Sequence, residues 1–446
     1  MEALLASASN NGAEETLIGN LRYGLDPQGS YVTHRRHSTT FSNVNFASPK
    51  SVKSITINCG SASEWMDPQS ILLSMLCVND STTEQLFPAS PNPAVLFDRL
   101  QIRLGSTLVE DIQGFNKLTH ILSMYSMSPG KLRDMNQLGF GTEETAANPN
   151  AFLSSQHKAK KIAAGGKKRI YMKFDLSGLL GGNHRWLPLF SLGGQGLSLV
   201  LSICPAAQSM ILADLPTAAA AQYSEEFHLE DIRLLSDMIT LNDDLQEAYN
   251  ASLLGGSSLK IPVRSWECQT VYLPADNGGS FDLALSKNYT RCATIFAMFN
   301  QNPPGTNFGA ENKLVNHNYF PGGNAVEDVQ VALHLGSRRI PDNDIRGTSE
   351  IWFRLLGALG MRDSLAHCTS IDQTAFNSTH HVIGFDLEKV PQLNSSGENL
   401  STGQTMFMNF KGFIGGSATD VARQATVCAH FEKVISIQDT VVDVME

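Results

Sequence analysis

Histidines are the residues of this sequence that could most readily hold a metal ion. A metal site on a β-sandwich needs two histidines one residue apart on a strand, with a carboxylate and a third histidine completing the shell. None of the twelve histidines forms such a pair. His34 and His37 flank two arginines whose charge opposes a bound cation, and the adjacent His380 and His381 would point to opposite faces of a strand. The sequence therefore predicts no metal site.

Other motifs that could support catalysis are incomplete. The acidic run 342–344 resembles the start of a calcium loop but lacks the later carboxylates, so we interpret it as the turn before a helix. The sequence has no G-x-S-x-G nucleophile elbow, and GGKK at 165–168 lacks the first glycine and the hydroxyl residue of a phosphate-binding loop. We therefore predict a protein that is not an enzyme, with no catalytic residues and no cofactor.

A ten-residue segment occurs twice in the chain. HLEDIRLLSD spans 228–237, and HFEKVISIQD spans 430–439. The first, third and tenth residues are identical, and apolar character is kept at the second, fifth and eighth positions. The recurring His228 and His430 suggest a site, but a polar residue at the start of the same strand in each copy explains them more simply.

A second pair of landmarks precedes these segments. LGS at 104–106 recurs at 335–337, each time after a strand-like alternation of apolar residues. A few residues later, DIQG at 111–114 is repeated as DIRG at 344–347, and in both places the apolar spacing then changes from period two to helical period. Two landmarks in the same order indicate the tandem duplication of one domain.

Short β-patterned runs separated by Gly, Pro, Asn and Asp dominate from residue 40 onward. Between the copies, a helix is predicted to begin after Asn242, which can cap it, and to end at Gly255. The predicted organisation is an N-terminal arm (1–39), a first jelly roll (40–238), a helical linker (239–256) and a second jelly roll (257–446). The predicted fold is all-β: two tandem eight-stranded jelly-roll β-sandwiches, a double jelly roll, with short helices in loops.

Composition limits the partners of this protein. The 446 residues carry a net charge of −10, whereas a chain that coats itself in nucleic acid is basic. Charged residues make up 17% of the chain, against about a quarter in typical soluble domains, so the surface suits packing against other proteins. HKAKKIAAGGKKR at 157–169 is basic and could contact phosphate, but we interpret it as a solvated loop or an inter-subunit contact.

The cysteines and the longest apolar stretch carry further expectations. The seven cysteines form no C-x-x-C pair and mostly lie in strand-like contexts, so we expect buried free thiols in a reducing compartment. The N-terminal sequence lacks the charged start and apolar run of a signal peptide. The uncharged run 186–213 contains prolines and glycines, so we expect buried strands rather than a membrane span.

Several segments resemble the double jelly-roll major capsid proteins of eukaryotic double-stranded DNA viruses, most closely those of polinton-like viruses and virophages. The segments are LQIRLGSTLVEDI (100–112), WLPLF (186–190), IGFDLEKV (383–390) and VISIQDTV (434–441). These similarities extend over most of the chain beyond the first 50 residues. The basic segment 157–169 has no counterpart in that family.

The resemblance implies a major capsid protein located in the virion and assembled inside the host cell. It implies a homotrimer whose six jelly rolls form a pseudo-hexameric capsomer that tiles an icosahedral capsid, with neighbouring capsomers, penton proteins and minor capsid proteins as partners. No specific nucleic-acid binding is expected, and the sequence does not show contact with an internal membrane. The alternative is a carbohydrate-binding β-sandwich, such as a lectin or virion spike, which would favour exposed aromatic residues in polar loops.

Overall fold

The computed structural model describes most of both halves of the chain. The described residues are 31–126, 136–141, 160–210, 223–224, 226–273, 280–285, 289–301, 329–362, 371, 373–377, 380–390, 396–400, 406–412, 423–438 and 441–445. Most of the predicted arm and the beginning of the basic segment, 157–159, lie outside them. None of the described helices is long and apolar enough to cross a membrane.

Strands dominate the part of the chain before residue 242. They are β1 (Val32–Phe41), β2 (Phe46–Ala47), β3 (Ser54–Cys59), β4 (Trp65–Asn79), β5 (Gln85–Leu86), β6 (Phe97–Leu104), β7 (Thr107–Gln113), β8 (Lys167–Met172), β9 (Leu187–Pro188), β10 (Leu197–Ile203), β11 (Tyr223–Ser224) and β12 (Phe227–Leu241). The helices described in this half include α1 (Phe115–Ser126) and α2 (Ala206–Ser209), together with the 3-10 helices Pro93–Leu96 and Leu189–Leu192. The main sheets have the strand orders β1-β12-β4-β8 and β3-β10-β6-β7.

Helix α3 (Asp243–Leu254) leads into a second set of strands. They are β13 (Leu259–Leu273), β14 (Ser280–Leu285), β15 (Cys292–Gln301), β16 (Gln330–Leu335), β17 (Arg338–Arg346), β18 (Val382–Asp386), β19 (Met406–Lys411), β20 (Arg423–Gln438) and β21 (Val441–Met445). Helices α4 (Gly347–Ala358) and α5 (Gln373–Phe376) lie between β17 and β18. The sheet orders are β13-β20-β15-β18 and β14-β19-β16-β17.

The two halves have the same connectivity. If the eight main strands of each half are numbered along the chain, one sheet has the order 1-8-3-6 and the other the order 2-7-4-5. This arrangement of two packed antiparallel sheets is a jelly roll. The predicted fold class, two tandem jelly rolls with short helices in loops, is confirmed.

The repeated landmarks mark equivalent turns of the two jelly rolls. Gly105 and Gly336 connect the fourth and fifth strands of their halves with φ of 58° and 57°. Gly114 and Gly347, at the start of the helices α1 and α4, have φ of 66° and 69°. Because residues with a Cβ rarely adopt positive φ, glycine recurs where the backbone makes the same turn.

Strand β1 differs from the expectation of an N-terminal arm over 1–39. It begins at Val32 and pairs antiparallel with β12 as far as Phe41. Nearly all of its side chains are exposed, so the segment lacks the apolar alternation by which a strand is recognised. Helix α3 forms in the predicted linker and ends at Gly255, although the Asn242 side chain makes no capping hydrogen bond. The domain boundaries themselves remain predictions.

The cysteines also differ from the expectation. Cys268 and Cys428 lie directly opposite each other on β13 and β20 and form a disulfide, so they are not free thiols. The free cysteines among the described residues are all buried: Cys59, Cys77, Cys204 and Cys292. Cys368 lies outside the described residues. Spacing along the chain gave no sign of the disulfide, because only the register of two strands brings these residues together.

Buried apolar side chains of both jelly rolls form one continuous cluster. Leu100 and Leu199 fill the interior of the first sandwich, and Leu333 and Met408 fill that of the second. The two interiors are therefore connected by a buried interface between the halves.

Candidate functional surfaces

Two of the histidines considered for metal binding, His37 and His381, already have other partners. His37 Nδ1 lies 2.5 Å from Asp237 Oδ1, and Arg35 donates to the same carboxylate. His381 lies 3.3 Å from the Phe376 carbonyl oxygen through Nδ1, and burial lowers its pKa to about 3. Within the part of the chain that the structure describes, no group of three His, Cys, Asp or Glu residues could hold a metal ion.

The acidic run 342–344 lies within strand β17, so its interpretation as a turn before a helix is wrong. Asp344 forms ion pairs with Arg339 and, at 3.9 Å, with Lys411. The strand pairs with β16 on either side of this segment, at Ile340 and at Ile345, and the helix begins at Gly347. The Asp344 carboxylate is therefore already paired with cationic side chains.

The repeated histidines do not both begin their strands, as the sequence suggested. His228 is the second residue of β12, whereas β20 begins at Arg423, well before His430. Each histidine stacks on an aromatic ring of the neighbouring strand. The centroid distance is 4.5 Å between His228 and Phe46, and 4.2 Å between His430 and Trp266. The two histidines therefore lie at different positions along the central strands: His228 is opposite Val78 near the end of β4, whereas His430 is opposite Thr294 near the start of β15.

The two halves meet along an interface that includes a cavity and polar contacts. Strand β7, helix α1 and the loop after β8 cover one face of the second half's 1-8-3-6 sheet. Lys433 Nζ donates to the Val109 carbonyl oxygen, and the Tyr125 hydroxyl donates to the His380 carbonyl oxygen. Gly178 packs so closely that a Cβ there would overlap the Arg264 carbonyl oxygen. These contacts join the two jelly rolls into one unit.

A buried carboxylate stabilises the first half's side of this interface. The Ser177 hydroxyl donates to Glu110 Oε2 at 2.5 Å, and the Gly178 amide donates to Oε1 at 3.0 Å. Burial raises the pKa of Glu110, while the Ser177 hydrogen bond and the positive charge of Lys433 oppose that rise. Sequence reasoning missed Glu110 because nothing in a single strand indicates that a charge will be buried.

A cavity of about 880 Å³ lies between the halves, beside these contacts. Trp266, Thr294 and His430 form part of its wall, together with Arg264 and residues of α1. Burial and the nearby Arg264 lower the pKa of His430 to about 3, so this imidazole is neutral near neutral pH. The wall mixes acidic, basic and aromatic side chains.

A third repeat becomes visible only when the structures of the halves are compared. Phe174-Asp175-Leu176 follows β8, and Phe385-Asp386-Leu387 ends the equivalent strand β18. The first copy leads directly into the Ser177-Gly178 contact with the second half. FDL occurs in the sequence at 174–176, 281–283 and 385–387, so the tripeptide alone did not identify the equivalent pair.

The basic segment lies partly within the described structure. Lys167 and Arg169 belong to strand β8, where they bind Glu230 and Asp231 of β12. The Lys168 ammonium donates to the Phe140 carbonyl oxygen. The described end of this segment is therefore tied to the first jelly roll by acidic and carbonyl partners.

No protein-family model and no curated protein matches this sequence. Solved structures do resemble it. PBCV-1 VP54, fitted into a reconstruction of the virophage Sputnik, matches with a TM-score of 0.60 and 10% identity over 95% of this chain and 99% of its own. The Faustovirus major capsid protein matches with a TM-score of 0.60 and 8% identity over 97% and 96%. The mavirus major capsid protein matches with a TM-score of 0.52 and 9% identity over 97% and 93%. The chain has the double jelly-roll fold of these proteins.

Proposed function

We propose that this double jelly-roll chain is the major capsid protein of an icosahedral double-stranded DNA virus. Three copies associate into a pseudo-hexameric capsomer, and capsomers tile the virion shell. The protein is located in the virion, is assembled inside the host cell and has no enzymatic activity.

One observation carries this proposal: the chain contains two jelly rolls of identical connectivity that share a buried interface. Three copies arranged around a threefold axis present six such sandwiches, which fill a hexagonal lattice position. A single-domain protein would need six chains for the same purpose. The duplicated architecture therefore suits a tile better than a receptor or an enzyme.

The structural neighbours support the same role. Those with TM-scores above 0.5 include the major capsid proteins of Faustovirus and mavirus and a model of the PBCV-1 capsid. Each matches along more than nine tenths of its own length, so the similarity includes both jelly rolls. Neighbouring capsomers, penton proteins and minor capsid proteins are the partners that this role requires.

The oligomeric state of the purified full-length chain tests the proposal. Light scattering coupled to gel filtration should give a mass about three times 48.5 kDa, and negative-stain electron microscopy should show particles with a hexagonal outline. A stable monomer at all concentrations would contradict the proposal. A monomer that binds a glycan array would instead favour the carbohydrate-binding alternative.

A further inference from the structure

A small apolar cluster between the linker helix α3 and the first jelly roll is distinct from the main core. Its buried members are Trp65, Ile239 and Leu241. The Trp65 ring meets the rings of Phe190 and Tyr249 edge-on, at centroid distances of 5.2 Å and 5.1 Å. The Trp65 indole N–H donates to Gln246 Oε1 of α3 at 2.8 Å. The orientation of the Trp65 ring is therefore fixed by contacts from both the jelly roll and the helix.

A pocket of about 380 Å³ opens on this cluster, and we call it the linker pocket. Trp65, Leu241 and Tyr249 form part of its wall, and Trp186 of the loop before β9 joins them. The Trp186 side chain is 37% exposed. Small-molecule sites are typically concave, have volumes of about 300–1,000 Å³ and are lined mainly by apolar and aromatic side chains. The linker pocket has the size and the wall of such a site.

The charged side chains of the linker pocket are all basic. His184, Arg185 and Lys260 line it, and no carboxylate does so among the described residues. Both Arg185 and Lys260 are exposed. The Arg185 guanidinium donates to the Lys260 carbonyl oxygen, which holds the loop before β9 against the start of β13. Because the whole chain carries a net charge of −10, this is a local concentration of positive charge that would attract an anion.

We infer that the linker pocket binds an amphiphilic phosphate, in which a phosphate group is joined to an apolar chain or ring. The phosphate contacts Arg185 and Lys260, because a guanidinium can bind phosphate through two parallel hydrogen bonds. The apolar part packs against Trp65 and Trp186. A neutral apolar compound would leave the cations without a partner, and inorganic phosphate would leave the aromatic wall exposed to water. The inference does not depend on the proposed capsid function.

Titration of the purified full-length chain with decyl phosphate, below its critical micelle concentration, tests the inference. Isothermal titration calorimetry measures the Kd, and tryptophan fluorescence should change because Trp65 and Trp186 line the pocket. Decyl maltoside has the same apolar chain without the charge, and inorganic phosphate has the charge without the chain. Each of these two compounds should bind at least ~10-fold more weakly than decyl phosphate, because each makes only one of the two kinds of contact.

Substitutions in the wall locate the binding site. Arg185→Gln and Lys260→Gln should each raise the Kd of decyl phosphate by about 10-fold, because each removes a charged hydrogen-bond donor. Trp186→Ala should raise the Kd of decyl phosphate and leave that of inorganic phosphate unchanged. Arg103→Gln is the matched control, since Arg103 is an exposed arginine of β6 outside the pocket. Circular dichroism and thermal melting check that each variant is folded.

Vesicles distinguish the two sources of such a ligand. If phosphatidic acid vesicles retain the wild type in a flotation assay but not Arg185→Gln, and phosphatidylcholine vesicles retain neither, the ligand is a lipid head group. If decyl phosphate binds in solution and no vesicle retains the protein, the ligand is a soluble amphiphile. Both results support the inference.

Three results would overturn it. One is the absence of decyl phosphate binding at millimolar concentration. Another is an equal Kd for the wild type, Arg185→Gln and Lys260→Gln, since binding would then take place elsewhere. The third is displacement of decyl phosphate by an equal concentration of an acidic peptide with the sequence of residues 14–25, EETLIGNLRYGL, because the pocket would then hold a peptide segment.

Discussion

The repeated strands β12 and β20 occupy the same place in their jelly rolls but have different surroundings. Asp231 on β12 is half-buried and binds Arg169 and Arg233. Its counterpart Lys433 on β20 is buried, and its ammonium donates to the Val109 carbonyl oxygen of the other half. Which polar residues of a half are buried is therefore determined by the segment that covers its sheet, and not by the connectivity of its strands.

Among these predictions, removing the buried Lys433 ammonium should lower the free energy of unfolding the most. Lys433→Met removes the hydrogen bond to Val109 and leaves Glu110 without its nearby positive charge, so it should destabilise the fold by about 3–5 kcal/mol. Asp231→Asn is the matched control, since asparagine tolerates the positive φ at that position. Urea unfolding followed by fluorescence measures both variants. If the two variants lost the same free energy of unfolding, the contact of Lys433 with the other half would not have the stabilising role described.

The same variant should alter the pH dependence of stability. Because burial raises the pKa of Glu110, the folded protein holds this proton more tightly than the unfolded chain. The stability that protonated Glu110 contributes is complete below its pKa in the unfolded chain, and it is lost as pH rises through its pKa in the folded protein. Loss of Lys433 raises the folded pKa further. The free energy of unfolding of Lys433→Met should therefore fall further below that of the wild type as pH increases.

Reduction should destabilise the second jelly roll more than the first. The Cys268–Cys428 disulfide closes a long loop, so replacing both cysteines by alanine should cost about 2–4 kcal/mol. The matched control is Cys77→Ser, which tests a free buried thiol of the first half. Thermal melting with and without a thiol reductant checks the prediction. A reductant effect that persists in the double alanine variant would contradict it.

Mild acid should destabilise the second half more than the first. The pKa values of His430 and His381 are lowered to about 3, so both are neutral in the folded state while they protonate near 6.5 in the unfolded chain. The stability they contribute is complete above pH ~6.5 and is lost as pH falls toward ~3. Melting temperatures of His430→Gln and of its counterpart His228→Gln between pH 7 and 4 check this. Only His430→Gln should reduce the acid sensitivity.

Local signals in the sequence predicted much of the fold because they act over a few residues. LGS and the glycines of DIQG and DIRG specify the same positive-φ turns in both halves. Helix α3 could be predicted from the residues that begin and end it. Strand β1 was missed because its exposed residues 33–37 carry no apolar alternation. The alternation of apolar residues reflects burial of one face of a strand, so it does not identify a strand whose side chains are mostly exposed.

Two tandem jelly rolls could be inferred from local sequence alone, since turn residues, apolar period and repeated landmarks all depend on short stretches of chain. The burial of Glu110 and Lys433 and the meeting of Cys268 with Cys428 arise only from the packing of distant segments. Each of these depends on residues far apart in the chain. The energy of a charge or thiol is set by its neighbours in space, and those neighbours exist only once the halves have packed together.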